Sequence, residues 1–176
     1  MFAITTTLFT DDFVESAGAV VFNLAVKQIC ILHIAKTDEY LLPKGRRNCT
    51  EPRSQAALRE VKEETGYSCT LLPITMLTRQ PPMNELGNTR HEVRIMTNVT
   101  EPFAFQKRTL KDGTEKIIWW FIAQVTDSEP EQSKYDSTRF LRVWLGYDDA
   151  VNKLTFPDDQ KLVSQAIHLV TNTYSQ

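Results

Sequence analysis

"LLPKGRRNCTEPRSQAALREVKEETGY", residues 41–67, sets the acidic residues Glu51, Glu60, Glu63 and Glu64 behind the cations Lys44, Arg46 and Arg47, with Arg53 at the helix start, and closes on Gly66 and Tyr67. Pro52 suits a first helical turn and Gly66 the position just past a helix end, so residues 52–65 are predicted to be helical. At roughly 3.6 residues per turn, Glu60, Glu63 and Glu64 gather on one face. Ala57, Leu58, Val61 and Thr65 form a neighbouring seat for packing. Gln55, Arg59 and Lys62 fall on a third, outer face, from which Arg59 can reach Glu63 or fold back towards Glu51. Like charges one turn apart each destabilise a helix by about a few tenths of a kcal/mol. Two readings are open: a solvated acidic face with Arg59 and Lys62 as surface partners, or a site for a hard divalent cation, which takes oxygen ligands and keeps waters for substrate phosphates.

Outward from this segment, strand and turn signals alternate. Residues 16–25 and 28–35 are rich in Val and Ile and predict a hairpin. A short strand at "YLLPKG" stops at Pro43. Residues 67–78 return to strand composition, and 79–92 form a polar loop. The clearest hairpin spans 101–125, with Asp112-Gly113 as its turn. In its second run Ile117, Trp119 and Phe121 point one way and Ile118, Trp120 and Ile122 the other, so this strand is covered on both faces. A polar loop comes next, then a strand at "RFLRVWL". A last helix starts at Pro157, with Leu162, Ala166 and Val170 on one side. The fold class is α+β, a mixed sheet between helices, with residues 1–176 as a single domain.

The 176 residues suffice for one core, and 41% hydrophobic with 24% charged residues is ordinary for a globular protein. A net charge of −2 excludes a global basic field, so no obligatory nucleic-acid partner is expected and anions must be met by a local patch. No apolar run approaches the roughly 20 residues of a membrane span. Cys30, Cys49 and Cys69 lack paired spacing and are expected to be buried or half-buried free thiols. That favours a reducing compartment, the cytoplasm, with secretion requiring a leader ahead of Met1.

Gly45, five residues, Glu51, seven residues, then Arg59-Glu60-Val61-Lys62-Glu63-Glu64-Thr65-Gly66 resembles the Nudix box at every fixed position. Tyr67 alone departs, standing where an aliphatic residue is usual. The order of strands and helix around residues 45–67 is also similar to the Nudix α/β/α sandwich. The resemblance implies a Mg²⁺-dependent hydrolase of phosphoanhydride bonds, with Mn²⁺ able to substitute. By position, Glu60, Glu63 and Glu64 correspond to the metal ligands, joined by the Gly45 carbonyl. Arg59 and Glu51 correspond to the pair that orients them, and Glu64 or Glu63 to the general base.

Lys44, Arg46 and Arg47 around Gly45, together with Lys36, are candidates for the phosphates of a small, highly phosphorylated substrate. Lys107, Arg108, Lys111 and Lys116 form a second basic cluster at the Asp112-Gly113 hairpin, read here as surface charge. "SAGAVVF" and "LPKG" resemble the diphosphoinositol polyphosphate and diadenosine polyphosphate hydrolases of the family, fungal members especially, although Arg46 and Arg47 replace the usual Gly-rich run. The alternatives are a dinucleoside polyphosphate or mRNA-cap hydrolase, and a non-catalytic binding domain.

Overall fold

The computed structural model describes residues 4–83, 90–126 and 139–174. The first hairpin is β1 (Phe13–Asn23) and β2 (Gln28–Ile34), antiparallel with Val21 opposite Cys30. Pro43 separates the next two strands, β3 (Glu39–Leu41) and β4 (Lys44–Arg46). Then come α1 (Arg53–Thr65) and β5 (Cys69–Leu71). The stretch 67–78 is not one strand. Pro73, which cannot donate to a ladder, separates β5 from β6 (Ile74–Thr78).

β6 pairs antiparallel with β7 (Arg94–Val99), a strand that the residue pattern alone did not assign. The 84–89 part of the polar loop lies outside the described residues. The strong hairpin is β8 (Ala104–Thr109) and β9 (Glu115–Val125), turned at Gly113 with φ 88°. Residues 127–138 are likewise outside the description. The chain ends with β10 (Leu141–Gly146), α2 (Tyr147–Lys153) and α3 (Pro157–Tyr174). The α2 helix carries no sequence signal of its own, because seven residues are too few to show a helical period.

Among the described residues the main sheet has eight strands, ordered β10-β2-β1-β9-β5, with β3 beside β2, β4 beside β1 and β8 beside β9. It is mixed: β1 and β9 run parallel over ten residue pairs, and the other pairings are antiparallel. β9 is covered on both faces, as its sequence requires. Ile118, Trp120 and Ile122 pack with Val20, Phe22 and the inner side of α3. Phe121 and Ala123 pack with Ala17, Ala19 and the α1 residues Ala56, Ala57 and Val61. The α1 helix covers one face of the sheet and α2 with α3 the other. Each fully buried side chain such as Ile118 or Val20 contributes about 1.5–3 kcal/mol.

Three details bear on the site and its setting. The α1 helix ends where Gly66 enters the left-handed region at φ 76° and donates its N–H to the Lys62 carbonyl at 2.8 Å. Tyr67, the departure from the box, meets Trp144 edge-on at 5.3 Å, so its role is packing. Cys30 is buried, which pushes its thiol up to about 12, and Cys69 is half-buried, but Cys49 is exposed, against expectation, because it lies in the loop ahead of α1. Among the described residues no helix is long and apolar enough to cross a membrane.

Candidate active site

The α1 helix packs on β1 and β4, and its acidic side reaches the sheet at β4. The buried Glu60 carboxylate lies directly against Gly45, where any Cβ would overlap it. Gly45 is therefore a glycine for space; its φ is not among the positive ones. Glu64 accepts the Lys44 backbone N–H at 2.8 Å. Burial pushes the Glu64 carboxyl up to about 7, against the pull of that N–H and of the Lys44 charge. Burial also raises Glu60, and Arg59 opposes this.

Arg59 is the organiser. Its Nε and Nη2 clasp both oxygens of Glu51 at 2.8 and 2.9 Å. Its Nη1 donates to Glu60 at 2.8 Å and to Glu63 at 3.0 Å, and Nη2 also donates to the Arg46 carbonyl at 2.9 Å. A helical wheel puts Arg59 on an outer face with Gln55 and Lys62. Its long side chain instead turns onto the acidic face, because the loop carrying Glu51 folds over it. The planar fork matches the Glu51 carboxylate, which Arg59 holds below its usual range. Arg59 itself is held further towards its charged form, by Glu51 first and then, burial opposing, by Glu60 and Glu63.

The loop is closed by a residue that sequence reasoning missed. The Glu15 carboxylate on β1 accepts Arg47 Nε at 2.8 Å, Arg53 Nη2 at 2.6 Å and the Trp119 indole N–H at 2.9 Å. The Arg53 guanidinium stacks on the Trp119 ring at 4.2 Å. Arg47 also donates to the Glu51 carbonyl at 2.9 Å. The available signal was a lone carboxylate in an otherwise apolar strand, "FVESAGAVVF", which needs a cationic partner when half-buried.

The structure separates the predicted phosphate-binding residues. Lys44 is half-buried and Arg46 exposed, both on β4 beside Glu64. Arg47 is committed to Glu15 and the loop, so its charge is already matched. Lys36 lies in the exposed turn between β2 and β3 and is not among the partners of Arg59. A cleft of about 520 Å³ opens beside the start of α1, lined by Glu15, Glu51, Arg53, Leu71 and Phe121 among others. It contains none of Glu60, Glu63 and Glu64, so the chemistry does not belong there.

Among the described residues, no three His, Cys, Asp or Glu side chains meet in a cluster that could hold a metal ion. The Arg59 guanidinium spans Glu60 and Glu63, while Glu64 turns to the Lys44 N–H. The donor set nevertheless fits a hard cation. It is entirely oxygen, two of its carboxylates are raised by burial, and Gly45 leaves the Glu60 carboxylate the space a side chain would fill.

The family model for the NUDIX domain matches residues 12–166. The chain belongs to the NUDIX family. The NUDIX relatives include the 8-oxo-(d)GTP phosphatase of Mycolicibacterium smegmatis, 26% identical over 171 residues that cover 91% of this chain and 43% of that protein. The m7GpppN-mRNA hydrolase dcap-2 of Caenorhabditis elegans is 30% identical over 125 residues, 69% of this chain and 15% of that one. This chain thus spans less than half the length of these curated relatives. Among solved structures, a NUDIX hydrolase from Nitrosomonas europaea superposes with a TM-score of 0.59 at 20% identity, covering 92% of both chains. The C. elegans Ap4A hydrolase, in a binary complex, gives 0.55 at 19% identity, covering 86% of this chain and 93% of that one. These likenesses carry the NUDIX fold. The narrower resemblance to diphosphoinositol polyphosphate hydrolases finds no support in them.

Proposed function

We propose that this chain hydrolyses phosphoanhydride bonds in small, highly phosphorylated molecules, assisted by Mg²⁺, with Mn²⁺ able to replace it. The observation that carries the reading is the Arg59 network: one guanidinium gathers Glu51, Glu60 and Glu63 beside Gly45, and Glu64 stands next to them on the Lys44 N–H. Glu60, Glu63 and Glu64 would hold the cation, with the Gly45 carbonyl as a further ligand. The bound ion would offset phosphoryl charge and lower the pKa of water.

The protein's own contribution is to orient and to move a proton. Glu51 fixes Arg59, and Arg59 fixes the carboxylates. Glu64, whose carboxyl burial pushes up to about 7, would in its ionised form take a proton from the attacking water, with Glu63 as the alternative base. Lys44 and Arg46 receive the phosphates that flank the reacting bond.

Nucleoside and dinucleoside polyphosphates are the small substrates the names of the relatives favour, with capped RNA as the macromolecular alternative that the name of dcap-2 raises. Diphosphoinositol polyphosphates are the second reading, favoured by cations on β4 that no carboxylate pairs among the described residues. A reducing, cytoplasmic setting belongs to the same proposal, in keeping with three free cysteines. The test is phosphate release with Mg²⁺ from 8-oxo-dGTP, diadenosine tetraphosphate, capped RNA, a diphosphoinositol polyphosphate and ADP-ribose. Turnover on at least one polyphosphate, abolished in Glu64→Gln, is expected; no release from any substrate with Mg²⁺ or Mn²⁺ refutes the reading.

A further inference from the structure

Strand pairing carries one face of the sheet across four strands. Lys44 lies opposite Gly18, and Gly18 opposite Trp120. Arg46 lies opposite Ser16, and Ser16 opposite Ile118. Two residues further down β1, Val14 lies opposite Lys116, and Lys116 opposite Arg108. Paired residues share a face and alternate residues return to it. Trp120 and Ile118 pack in the core on the α3 side. Lys44, Arg46, Lys116 and Arg108 therefore all rise from the α3 side, at the end of the sheet where α1 brings its glutamates to β4. The basic residues of the hairpin are not one patch: Lys107 is on the other face, paired with Glu115 at 3.0 Å.

Two observations mark this face as more than solvated charge. The first is charge balance. Among the described residues, Lys44, Arg46 and Lys116 form no ion pair, and Arg108 meets a carboxylate only at Asp159, at the start of α3. Lys116 is half-buried, and burial together with Lys44, Arg108 and Arg46 lowers its pKa while Glu64 opposes them. The second is Ser16. It is fully buried between Arg46 and Ile118, on this same face, and its hydroxyl has no hydrogen-bond partner. A buried hydroxyl without a partner carries a cost that a ligand oxygen would remove.

We propose that Lys116, Arg108 and the Ser16 hydroxyl extend the Lys44–Arg46 edge into a second anion subsite, which binds a phosphate group of the substrate other than the one attacked. The proposal rests on the phosphoanhydride reading above and names the part of the substrate this face takes, a polyphosphate chain. Arg108 is aimed by its neighbours: Nη2 donates to Gln106 Oε1 at 3.0 Å and lies 3.3 Å from Asp159 Oδ1. Gln106 is itself held by the Trp120 indole N–H at 3.1 Å. Asp159 is thus a positioning residue for Arg108.

The experiment is calorimetric binding of inorganic tripolyphosphate to the EDTA-treated protein at two salt concentrations, so no turnover is needed. Lys116→Ala and Arg108→Ala should each weaken binding about tenfold, the scale of a charge-assisted contact. Lys107→Ala, which removes the same charge from the same hairpin on the other face, should change it less than about twofold, within the range of a screened rim charge. Ser16→Ala should lower affinity while leaving the melting temperature unchanged or raised, because an unpartnered hydroxyl is removed. Asp159→Asn should weaken tripolyphosphate binding in the wild-type background and add nothing to Arg108→Ala.

Wild-type affinity in Lys116→Ala and Arg108→Ala, or an equal loss in Lys107→Ala, overturns the subsite. Additive losses in the Asp159→Asn, Arg108→Ala pair overturn the positioning role. If the protein hydrolyses polyphosphates yet these variants bind tripolyphosphate normally, only the subsite fails. If the variants lose tripolyphosphate but no phosphoanhydride is cleaved, only the hydrolase reading fails.

Discussion

Gly45→Ala isolates the contact on which the site is built. The backbone there is open to alanine, since the φ of Gly45 is not positive. By itself the change would stabilise the fold by about 0.4–1 kcal/mol, through the narrower unfolded ensemble. The opposing effect is steric: the new Cβ would occupy the place of the Glu60 carboxylate. Glu60 would have to leave Arg59, losing a charge-assisted bond of 2.8 Å worth about 1.5–3 kcal/mol. The balance is a destabilisation of roughly 0.5–2.5 kcal/mol, or about 2–4 °C in melting temperature per kcal/mol for a chain of this size.

The decisive measurement is a double-mutant cycle by urea unfolding in EDTA, with Gly45→Ala introduced into wild type and into Glu60→Ala. Without the Glu60 carboxylate the clash disappears, so the second substitution should be neutral or stabilising. The coupling energy should exceed about 1 kcal/mol, well above the roughly 0.3–0.5 kcal/mol scatter of independent sites. Equal destabilisation in both backgrounds would refute the contact, and with it the claim that Gly45 is there to admit Glu60.

Glu63→Gln and Glu64→Gln should each keep the fold and lose at least about a hundredfold in kcat, the scale of a lost ligand or base; circular dichroism and phosphate release check this together. Hydrolysis should stop in EDTA and return with Mg²⁺ or Mn²⁺, and full activity after exhaustive chelation would contradict an all-oxygen metal site. Arg46→Ala should raise KM for a polyphosphate at least about tenfold, whereas Arg47→Ala, whose guanidinium is already held by Glu15, should act chiefly through the melting temperature. Glu15 is pushed up by burial but held below its usual range overall by the Trp119 N–H, Arg53 and Arg47. Its stabilisation is therefore fully present above the unfolded carboxyl value near 4.5 and is lost as the pH falls through its lower folded value. Glu15→Gln should flatten the stability profile in that acid range, as tracked by thermal melts from about pH 3 to 6.

The sequence by itself determined the helix and its acidic side, because helix period, Pro52 and the Gly66 cap are local properties. It also determined the two-faced strand β9, whose alternation of apolar residues survives any packing partner, and the β8–β9 turn, which Asp112-Gly113 specify. The strand β7 and the short helix α2 were not legible, since each depends on a neighbour rather than on its own periodicity; the break at Pro73 was a local signal that the reading of 67–78 as one strand passed over. What only the tertiary structure decided is the sorting of charge. Arg59 turned from an outer face because Glu51 folded over it, and Arg47 was withdrawn from the substrate by Glu15, distant in sequence but adjacent on β1. Arg108 and Lys116, read as surface charge, joined Lys44 and Arg46 on one face. A side chain's partner is set by which strands the sheet places side by side, and the parallel pairing of β1 with β9 joins segments about a hundred residues apart that no local pattern relates.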